Sequence, residues 1–265
     1  MNFIIRAYCR LFAKPIFIRL NRLLYRLGLS GMGVLNFWSQ SASGEKHFLA
    51  DALRRKRQPI VLDVGANVGD YTSAVLAINA SAIVHAFEPS SVACKQLKNL
   101  GHKSNVTIVN SAVGSEQGQL TLYDYKGTSG SMHASAHREV IEELHGGQAQ
   151  GEKVLVQRLD GYLEKNGIER VDLLKIDTEG LEYDVLVGLG RYLENGAVEV
   201  IQLEFNEMNV MSRRFFNDFW GLLKDYEIYR LLPAGQLKID AYSPLYCEIF
   251  AYQNLVARWK GGQKS

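Results

Sequence analysis

The sequence has little cysteine and little proline, three and five residues in a chain of 265. Cys9, Cys94 and Cys247 are odd in number and show neither CxxC nor CxxxC spacing, which excludes a disulfide framework and a cysteine-rich zinc site. A reduced, cytoplasmic environment is therefore expected. Long apolar runs are lacking as well, so we expect neither a transmembrane span nor a cleaved signal peptide.

Net charge is small too, because 30 Lys and Arg nearly balance 28 Asp and Glu. This balance excludes a protein that coats nucleic acid through a general positive charge, and no nucleic-acid partner is expected. The charge is nevertheless uneven along the chain. Residues 1–44 contain no acidic residue and six basic ones, which are Arg6, Arg10, Lys14, Arg19, Arg22 and Arg26.

Residues 1–44 are therefore predicted to form a basic helical leader. Arg6, Arg10 and Lys14 follow one another at four-residue intervals, which places them on one face of a helix whose other positions are largely apolar. A basic amphipathic helix can lie on an anionic membrane surface. We therefore expect either peripheral membrane contact through residues 1–30, at the inner face of the membrane, or packing of the leader on the body.

Beyond the leader, short apolar runs alternate with longer amphipathic stretches. Continuous apolar runs are typical of parallel strands that are covered on both faces, and they predict strands at Ile60–Val64, Ala82–Phe87, Val106–Asn110, Val171–Ile176 and Val198–Phe205. Shorter runs predict an edge strand and two closing strands at Gln119–Tyr125, Glu227–Leu232 and Tyr246–Gln253. Helices are predicted at Asp70–Asn79, Ser90–Leu100, Leu159–Asn166, Gly180–Leu193 and Phe215–Leu223. The alternation indicates an α/β fold with a mostly parallel, Rossmann-like central sheet flanked by helices.

The body is predicted to be one domain over residues 45–259. Within it, residues 126–152 are rich in Gly, Ser, His and charge, and they are expected to form a partly helical flap over the acceptor site. Residues 260–265 are expected to be a disordered tail.

A glycine-rich turn follows the first predicted strand, where an open parallel sheet binds ligands at its carboxyl edge. The turn reads DVGANVG over residues 63–69, with Asp63, Gly65, Asn67 and Gly69 as candidate cofactor-binding residues. A dinucleotide fingerprint needs glycine where Asn67 stands, and a P-loop needs a Gly-Lys-Ser/Thr ending, whereas Gly69 is followed by an acid. The acid Asp63 suits the cationic amino-acid end of S-adenosylmethionine better than a pyrophosphate. S-adenosylmethionine is therefore favoured over NAD and ATP.

Two further residues are candidates for binding this cofactor. Glu88 ends the second predicted strand, where an acid can accept hydrogen bonds from both ribose hydroxyls of an adenosine. Ser111 follows the third predicted strand, where a small polar residue can reach the adenine. The glycine turn and Glu88 together point to an adenosine-containing cofactor.

The densest group of ionisable residues lies at the fourth and fifth predicted strands. Lys175 and Asp177 stand at the end of the fourth strand, and Glu204 and Asn206 end the fifth. In the usual order for this architecture these strands lie on one side of the first, so Asp177 and Glu204 should meet near the cofactor. Ionisable groups are costly to bury without a partner or a ligand, which makes this group a candidate catalytic site.

Three roles are open for these residues. Asp177 can act as a general base for an acceptor hydroxyl. Asp177, Glu204 and Asn206 can instead offer three oxygen ligands of the kind that suits Mg²⁺ or Mn²⁺. The third possibility is an ion pair of Lys175 with Asp177 or Glu204 that only fixes the strand ends.

In its motifs the chain resembles the FkbM-type family of S-adenosylmethionine-dependent methyltransferases. The resemblance runs in order from about Glu45 to Tyr252 and rests on Val61–Thr72, Ala86–Pro89, Asn110–Gly114, Arg158–Asp160, Leu174–Glu182 and Gln202–Phe205. It implies a class I methyltransferase fold and O-methylation of a hydroxyl on a sugar, glycan or other small-molecule natural product. It also implies cofactor contacts from Asp63, Gly65, Asn67, Gly69, Glu88 and Ser111, with Asp177 at the catalytic edge.

Other functions compete with methyl transfer to a hydroxyl. An N-methyltransferase acting on bases would show Asn or Asp-Pro-Pro-aromatic after the fourth strand, and the sequence DTEG at residues 177–180 is not that motif. A nicotinamide-dependent oxidoreductase is disfavoured by the spacing of the glycine turn. A non-catalytic module that binds S-adenosylmethionine without turnover stays open. Neither the acceptor nor the oligomeric state follows from the sequence.

Overall fold

The computed structural model describes residues 2–37, 39, 42–98, 104–127, 131 and 134–261. The strands in these ranges are β1 Ile60–Val64, β2 Ile83–Phe87, β3 Val106–Val109, β4 Ala112–Val113, β5 Gly118–Tyr125, β6 Ala149–Gln157, β7 Leu173–Ile176, β8 Val200–Phe205, β9 Tyr226–Leu232, β10 Gly235–Lys238 and β11 Gln253–Trp259. The α-helices are α1 Asn2–Phe12, α2 Ile18–Gly31, α3 Glu45–Leu53, α4 Asp70–Ile78, α5 Ser91–Leu97, α6 Leu159–Lys165, α7 Glu182–Val187, α8 Arg191–Glu194, α9 Met208–Met211, α10 Phe216–Leu222 and α11 Pro244–Cys247.

The central sheet has eight strands in the order β10-β9-β11-β8-β7-β1-β2-β3. Strands β8, β7, β1, β2 and β3 are parallel, and β11, β9 and β10 add an antiparallel end. The predicted α/β fold with a mostly parallel sheet is confirmed. Register in the sheet places Asp63 between Ala86 of β2 and Lys175 of β7, so the candidate site residues on these strands share one edge.

Both faces of the sheet are covered by apolar side chains. Val61 of β1 belongs to a core with Phe48 and Val75 from α3 and α4, whereas Leu62 of β1 belongs to the opposite core, which includes Phe216 of α10. Successive residues of a strand point to opposite faces. A strand with helices on both sides must therefore be apolar throughout, which is the pattern seen in the sequence.

A smaller sheet, β4-β6-β5, carries the flap. Strands β5 and β6 pair antiparallel, from Gly118 opposite Val156 to Tyr125 opposite Ala149. The flap was predicted over residues 126–152, but its last four residues belong to β6. Its helical part is one π-helical turn at Val140–Leu144.

Two predicted elements are wrong. The helix predicted over Gly180–Leu193 is two short helices, because Gly190 adopts φ +50° between α7 and α8. The closing strand predicted over Tyr246–Gln253 lies seven residues later, as β11. Pro244 instead begins α11 in that segment, since proline fits the first turn of a helix.

The leader contains α1 and α2, joined by a 3₁₀ turn at Pro15–Phe17. Since α1 ends at Phe12, Lys14 lies in the turn and does not continue the face of Arg6 and Arg10, contrary to the prediction. In the ranges that the structure describes, no helix is both long and apolar enough to cross a membrane. Most of the predicted disordered tail, residues 262–265, lies outside the described residues.

Candidate active site

The glycine turn after β1 joins the ends of three strands. Gly65 has φ +84°, and a Cβ atom there would lie 1.7 Å from the backbone oxygen of Asp177, so glycine alone fits. The amides of Gly65 and Ala66 both donate to the Phe87 oxygen at 3.0 Å. The turn therefore contacts the end of β2 and the residue that follows β7.

Glu88 is held beside this turn by two backbone amides. Its Oε2 accepts from the Asn67 amide at 2.8 Å, and its Oε1 accepts from the Ser90 amide at 2.7 Å. Burial raises the pKa of Glu88 to about 7, although the two amides act in the opposite direction. Each carboxylate oxygen keeps capacity for one further hydrogen bond.

Four of the six predicted cofactor residues line one cavity, and these are Gly65, Asn67, Glu88 and Ser111. The flap, which was predicted over the acceptor site, contributes Ser131, Ala134 and Ala136 to the wall of this cavity. Asn67 Nδ2 also donates to the Ser131 oxygen at 3.4 Å. The flap thus closes over the predicted cofactor side of the sheet edge.

The other two predicted cofactor residues do not line this cavity. Asp63 is buried and its Oδ2 accepts from Thr72 Oγ1 at 2.6 Å, so it fixes α4 to β1. Burial raises the pKa of Asp63 to about 6. Gly69 adopts φ +93° at the N-terminus of α4, where it lets the chain turn into the helix.

Ser111 is one of the four residues that line the cavity, and its Oγ accepts a hydrogen bond from Gln157 Nε2.

The cavity suits a ligand that carries hydroxyl donors and an apolar ring. Asn67 Oδ1 is buried and accepts no hydrogen bond from the described residues, and Glu88 has free acceptor capacity. Leu120 and Leu122 of β5 and Pro89 supply apolar wall. Such a site fits the adenosine part of S-adenosylmethionine, with donors on the ribose and an apolar face on the adenine.

Lys175 lies at the centre of an acidic cluster. Its Nζ is 3.1 Å from Asp177 Oδ2, 3.6 Å from Glu204 Oε1 and 4.0 Å from Glu45 Oε1, and it lies 5.6 Å from the ring centroid of Tyr71. Burial acts to lower the pKa of Lys175, but the three carboxylates outweigh it and raise that pKa well above its ordinary value. The cluster therefore contains a permanent buried cation, and the structure brings Asp177 and Glu204 together as predicted.

Asp177 is the most accessible acid of the cluster. Its side chain is 36% exposed, against 13% for Glu204 and 13% for Glu45. Burial and the neighbouring Asp177 charge raise the pKa of Glu204, while Lys175 opposes the shift. Asp177 Oδ1 receives no hydrogen bond from the described residues, whereas Oδ2 accepts from Lys175.

Two contacts of the described residues compete with the predicted set of metal ligands. Asn206 Oδ1 accepts from the Met208 amide at 2.9 Å, and Lys175 Nζ occupies the position between Asp177 and Glu204. Within the described ranges, no three or more His, Cys, Asp or Glu side chains group as a metal site. A buried cation 3.1 Å from Asp177 and 3.6 Å from Glu204 competes with Mg²⁺ or Mn²⁺ for these carboxylates.

The loop after Asp177 is fixed by Glu182 and by the flap. Glu182 Oε1 accepts from the amides of Thr178 at 3.0 Å and Gly180 at 3.1 Å, so this buried acid holds the loop in place. Glu179 adopts the left-handed φ of +54°, and its carbonyl accepts from Ser135 Oγ at 2.6 Å. Burial and the charges of Asp177 and Glu204 raise the pKa of the Glu179 carboxyl.

Several residues of the cluster were missed in the sequence. Gln202 Nε2 donates to Glu45 Oε1 at 2.7 Å and to Asn254 Oδ1 at 3.0 Å, and Gln202 Oε1 accepts from Tyr71 at 2.8 Å. Gln202 had a detectable signal, because it interrupts an apolar strand two residues before Glu204. Glu45 and Asn254 come from distant segments and carried no local signal.

The comparisons with known proteins bear on this site directly. Residues 63–227, more than half of the chain, match the model of the Methyltransferase FkbM domain. The chain belongs to the FkbM methyltransferase family. Membership confirms the resemblance seen in the motifs, makes the chain a methyltransferase, and implies S-adenosylmethionine as the methyl donor. The nicotinamide alternative has no support from this match.

Two relatives and one solved structure are similar to this FkbM-family chain. The 2-O-methyltransferase NoeI of Sinorhizobium fredii is 24% identical over 195 residues, which are 69% of this chain and 79% of NoeI. The 31-O-demethyl-FK506 methyltransferase FkbM of Streptomyces tacrolimicus is 27% identical over 180 residues, 59% of this chain and 69% of that protein. The crystal structure of Methyltransferase FkbM from Methylobacillus flagellatus covers 89% of this chain and 60% of its own at 12% identity, with a TM-score of 0.46.

Proposed function

We propose that this chain methylates a hydroxyl group on a small-molecule or glycan acceptor, with S-adenosylmethionine as donor. The names of two relatives, at 24% and 27% identity, support O-methylation. The observation that carries the proposal is the position of Asp177. It is the accessible carboxylate of the cluster, its backbone touches the glycine turn, and the next residue, Thr178, lines the cavity.

Asp177 is the proposed general base. When bound, S-adenosylmethionine supplies a sulfonium-borne methyl group, so the S–CH₃ bond breaks as an O–CH₃ bond forms. The acceptor hydroxyl must lose its proton during this transfer. It needs a base for this, because an alcohol has a pKa far above neutrality and stays protonated on its own. Asp177 Oδ1 takes that proton. General-base assistance of this kind is worth about 10²–10⁴ in rate.

Lys175 is the proposed positioning residue for Asp177. Its hydrogen bond to Asp177 Oδ2 fixes the carboxylate plane and leaves Oδ1 toward the acceptor. In this proposal the Lys175–Asp177 ion pair orients the general base in addition to fixing the strand ends. Glu204 shares the same lysine and holds it from the other side at 3.6 Å.

On the donor side, Glu88 is proposed to accept hydrogen bonds from the ribose hydroxyls. Ser111, which lines the same cavity, is proposed to contact the adenine, and Asn67 Oδ1 offers a further acceptor. Gly65 gives the ligand close access to the backbone. Asp63 and Gly69 do not line the cavity, and we propose that they support the site indirectly by fixing the position of α4.

Product analysis with isotope-labelled S-adenosylmethionine tests the function. We expect label to appear on oxygen when the acceptor is a hydroxylated sugar, a glycan or another small-molecule alcohol, and not when the same hydroxyl is absent or already methylated. Label found on nitrogen or carbon would contradict O-methylation. Binding of S-adenosylmethionine with no transfer to any hydroxyl acceptor would favour the non-catalytic alternative.

A further inference from the structure

The second leader helix exposes an apolar face. Leu20, Leu23, Leu24 and Leu27 follow the spacing i, i+3, i+4, i+7 of one helix side, and they are 39%, 54%, 45% and 60% exposed. Only Leu29 of α2 is buried. A helix face of this kind normally packs against something apolar. Leu24 lines a cavity together with Leu245 and Phe250 of the body, whereas Leu23 and Leu27 are more than half exposed.

The first leader helix continues this surface. Ile4, Tyr8 and Leu11 recur at i, i+4 and i+7 on α1, and all three are exposed. The turn between the helices adds Ile16, which is 82% exposed. Together the leader holds more of the exposed large apolar side chains than the whole remaining described chain.

The charges on these helices have one sign only. Arg6 and Arg10 stand on α1, and Arg19, Arg22 and Arg26 recur at i, i+3 and i+7 on α2. No leader arginine forms an ion pair with any residue that the structure describes. Among the described residues, these cations therefore have no anionic partner.

The two helices form one unit that is fixed to the body. Asn21 Nδ2 of α2 donates to the Phe12 oxygen of α1 at 3.1 Å, and the rings of Phe12 and Phe17 lie 5.2 Å apart. After α2, the amide of Leu35 donates to the Tyr252 oxygen at 2.8 Å. The apolar and basic faces are thereby presented together at a defined place on the sheet.

We propose that α1 and α2 dock together on an anionic lipid membrane and lie in its plane. Apolar side chains enter the boundary between headgroups and acyl chains, and the arginines bind lipid phosphates. With 14 residues, α2 is about 21 Å long, too short to span a hydrocarbon core of about 30 Å. The combination of cations without an anionic partner among the described residues and an exposed apolar stripe fits this surface better than a protein partner.

Co-sedimentation of the full chain with lipid vesicles tests the proposal. The vesicles contain phosphatidylcholine alone or phosphatidylcholine mixed with an equal amount of phosphatidylglycerol. We expect binding to the mixed vesicles, weakened by salt. The triple variant Arg19→Gln, Arg22→Gln, Arg26→Gln should lose roughly 100-fold in affinity, and the double variant Leu23→Ser, Leu27→Ser at least ~10-fold.

Matched variants control for charge and for exposed leucines. The triple variant Arg54→Gln, Arg55→Gln, Arg57→Gln removes the same charge from the body, and Leu155→Ser with Leu237→Ser removes exposed leucines elsewhere. Both should bind vesicles as the unchanged chain does, within about twofold.

The proposal is overturned if the full chain does not bind anionic vesicles at low salt. It is also overturned if the leader variants and the control variants bind these vesicles with the same affinity. Sedimentation velocity without lipid adds a further outcome. A dimer that dissociates in the Leu23→Ser, Leu27→Ser variant, together with no vesicle binding, would assign the leader surface to a second copy of the chain instead.

Discussion

The cavity beside Glu88, where we propose that the donor binds, and the acidic cluster hold their carboxylates in different ways. Glu88 is bound by the backbone amides of Asn67 and Ser90, which belong to the two turns that flank it. Asp177 and Glu204 are held by one side chain, that of Lys175, which is buried among elements from distant parts of the sequence. The first site depends on local backbone shape, and the second depends on a single charge.

This difference predicts how each region responds to substitution. Backbone amides persist when a side chain changes, so loss of Glu88 should affect ligand binding and leave the fold intact. Removal of Lys175 leaves several buried acids facing one another, so it should affect both stability and turnover. Four experiments test whether the two regions respond differently, and each has an outcome that would contradict the difference.

Lys175→Met should give the largest effect. We expect the free energy of unfolding to fall by about 3–5 kcal/mol, because breaking a buried ion pair leaves uncompensated charge. The matched control is Lys56→Met, since Lys56 also pairs with two acids, Asp172 and Glu199, but nearer the surface. Chemical denaturation should show a loss below about 1 kcal/mol there. If both variants lost the same free energy of unfolding, the burial of the Lys175 cluster would not make its ion pairs more important for stability than those of Lys56.

Asp177→Asn should lower kcat at least ~100-fold while the dissociation constant for S-adenosylmethionine stays within about twofold. Asparagine keeps the shape of the side chain but cannot take the proton. Asp240→Asn, an exposed change away from the cluster, should leave both quantities unaltered. Steady-state kinetics and calorimetry measure the two effects separately. Full turnover in Asp177→Asn would remove this residue from the base role.

Glu88→Ala should weaken S-adenosylmethionine binding about tenfold or more, because hydrogen bonds to a carboxylate are worth about 1.5–3 kcal/mol. Turnover at saturating donor should fall little. The control is Glu152→Ala, which removes a nearby but exposed acid. An unchanged affinity in Glu88→Ala, measured by titration calorimetry, would contradict the ribose assignment.

A pH series should show the smallest effect. Because the pKa of Glu88 is raised to about 7, the carboxyl gains a proton as the pH falls through neutrality and then accepts hydrogen bonds less well. Donor affinity should therefore fall by up to about tenfold between about pH 8 and pH 6. In Glu88→Gln the same series should be nearly flat. A flat series for the unchanged chain would show that Glu88 does not titrate against the ligand.

The donor side was largely predictable from sequence. Its residues follow strands that read as apolar runs, and parallel strands bring their carboxyl ends to one edge. Gly65, Asn67, Glu88 and Ser111 were predicted in this way, and all four line one cavity. Asp63 was predicted to contact the ligand as well, but the sequence does not show that Thr72, in the first turn of α4, hydrogen-bonds to it.

The acidic cluster was predictable only in part. Lys175 and Glu204 stand on strands whose order is typical of the fold, and Asp177 directly follows the first of them. Glu45 and Asn254 reach the cluster through tertiary contacts alone. The strand β11 was misplaced for the same reason. Gln253 and Asn254 are polar residues that begin a buried strand, and their hydrogen bonds with Arg230 and Gln202 satisfy them there.

The place of β11 in the sheet has a consequence for folding during synthesis. This strand lies between β8 and β9, so the β9–β10 hairpin is made earlier but has no partner in the main sheet until Gln253–Trp259 has left the ribosome. Until then β8 and β9 each present an open edge, the feature that leads nascent chains to pair wrongly with one another. The antiparallel half of the sheet therefore joins the parallel half in one late event, by insertion of a strand rather than by growth from an edge.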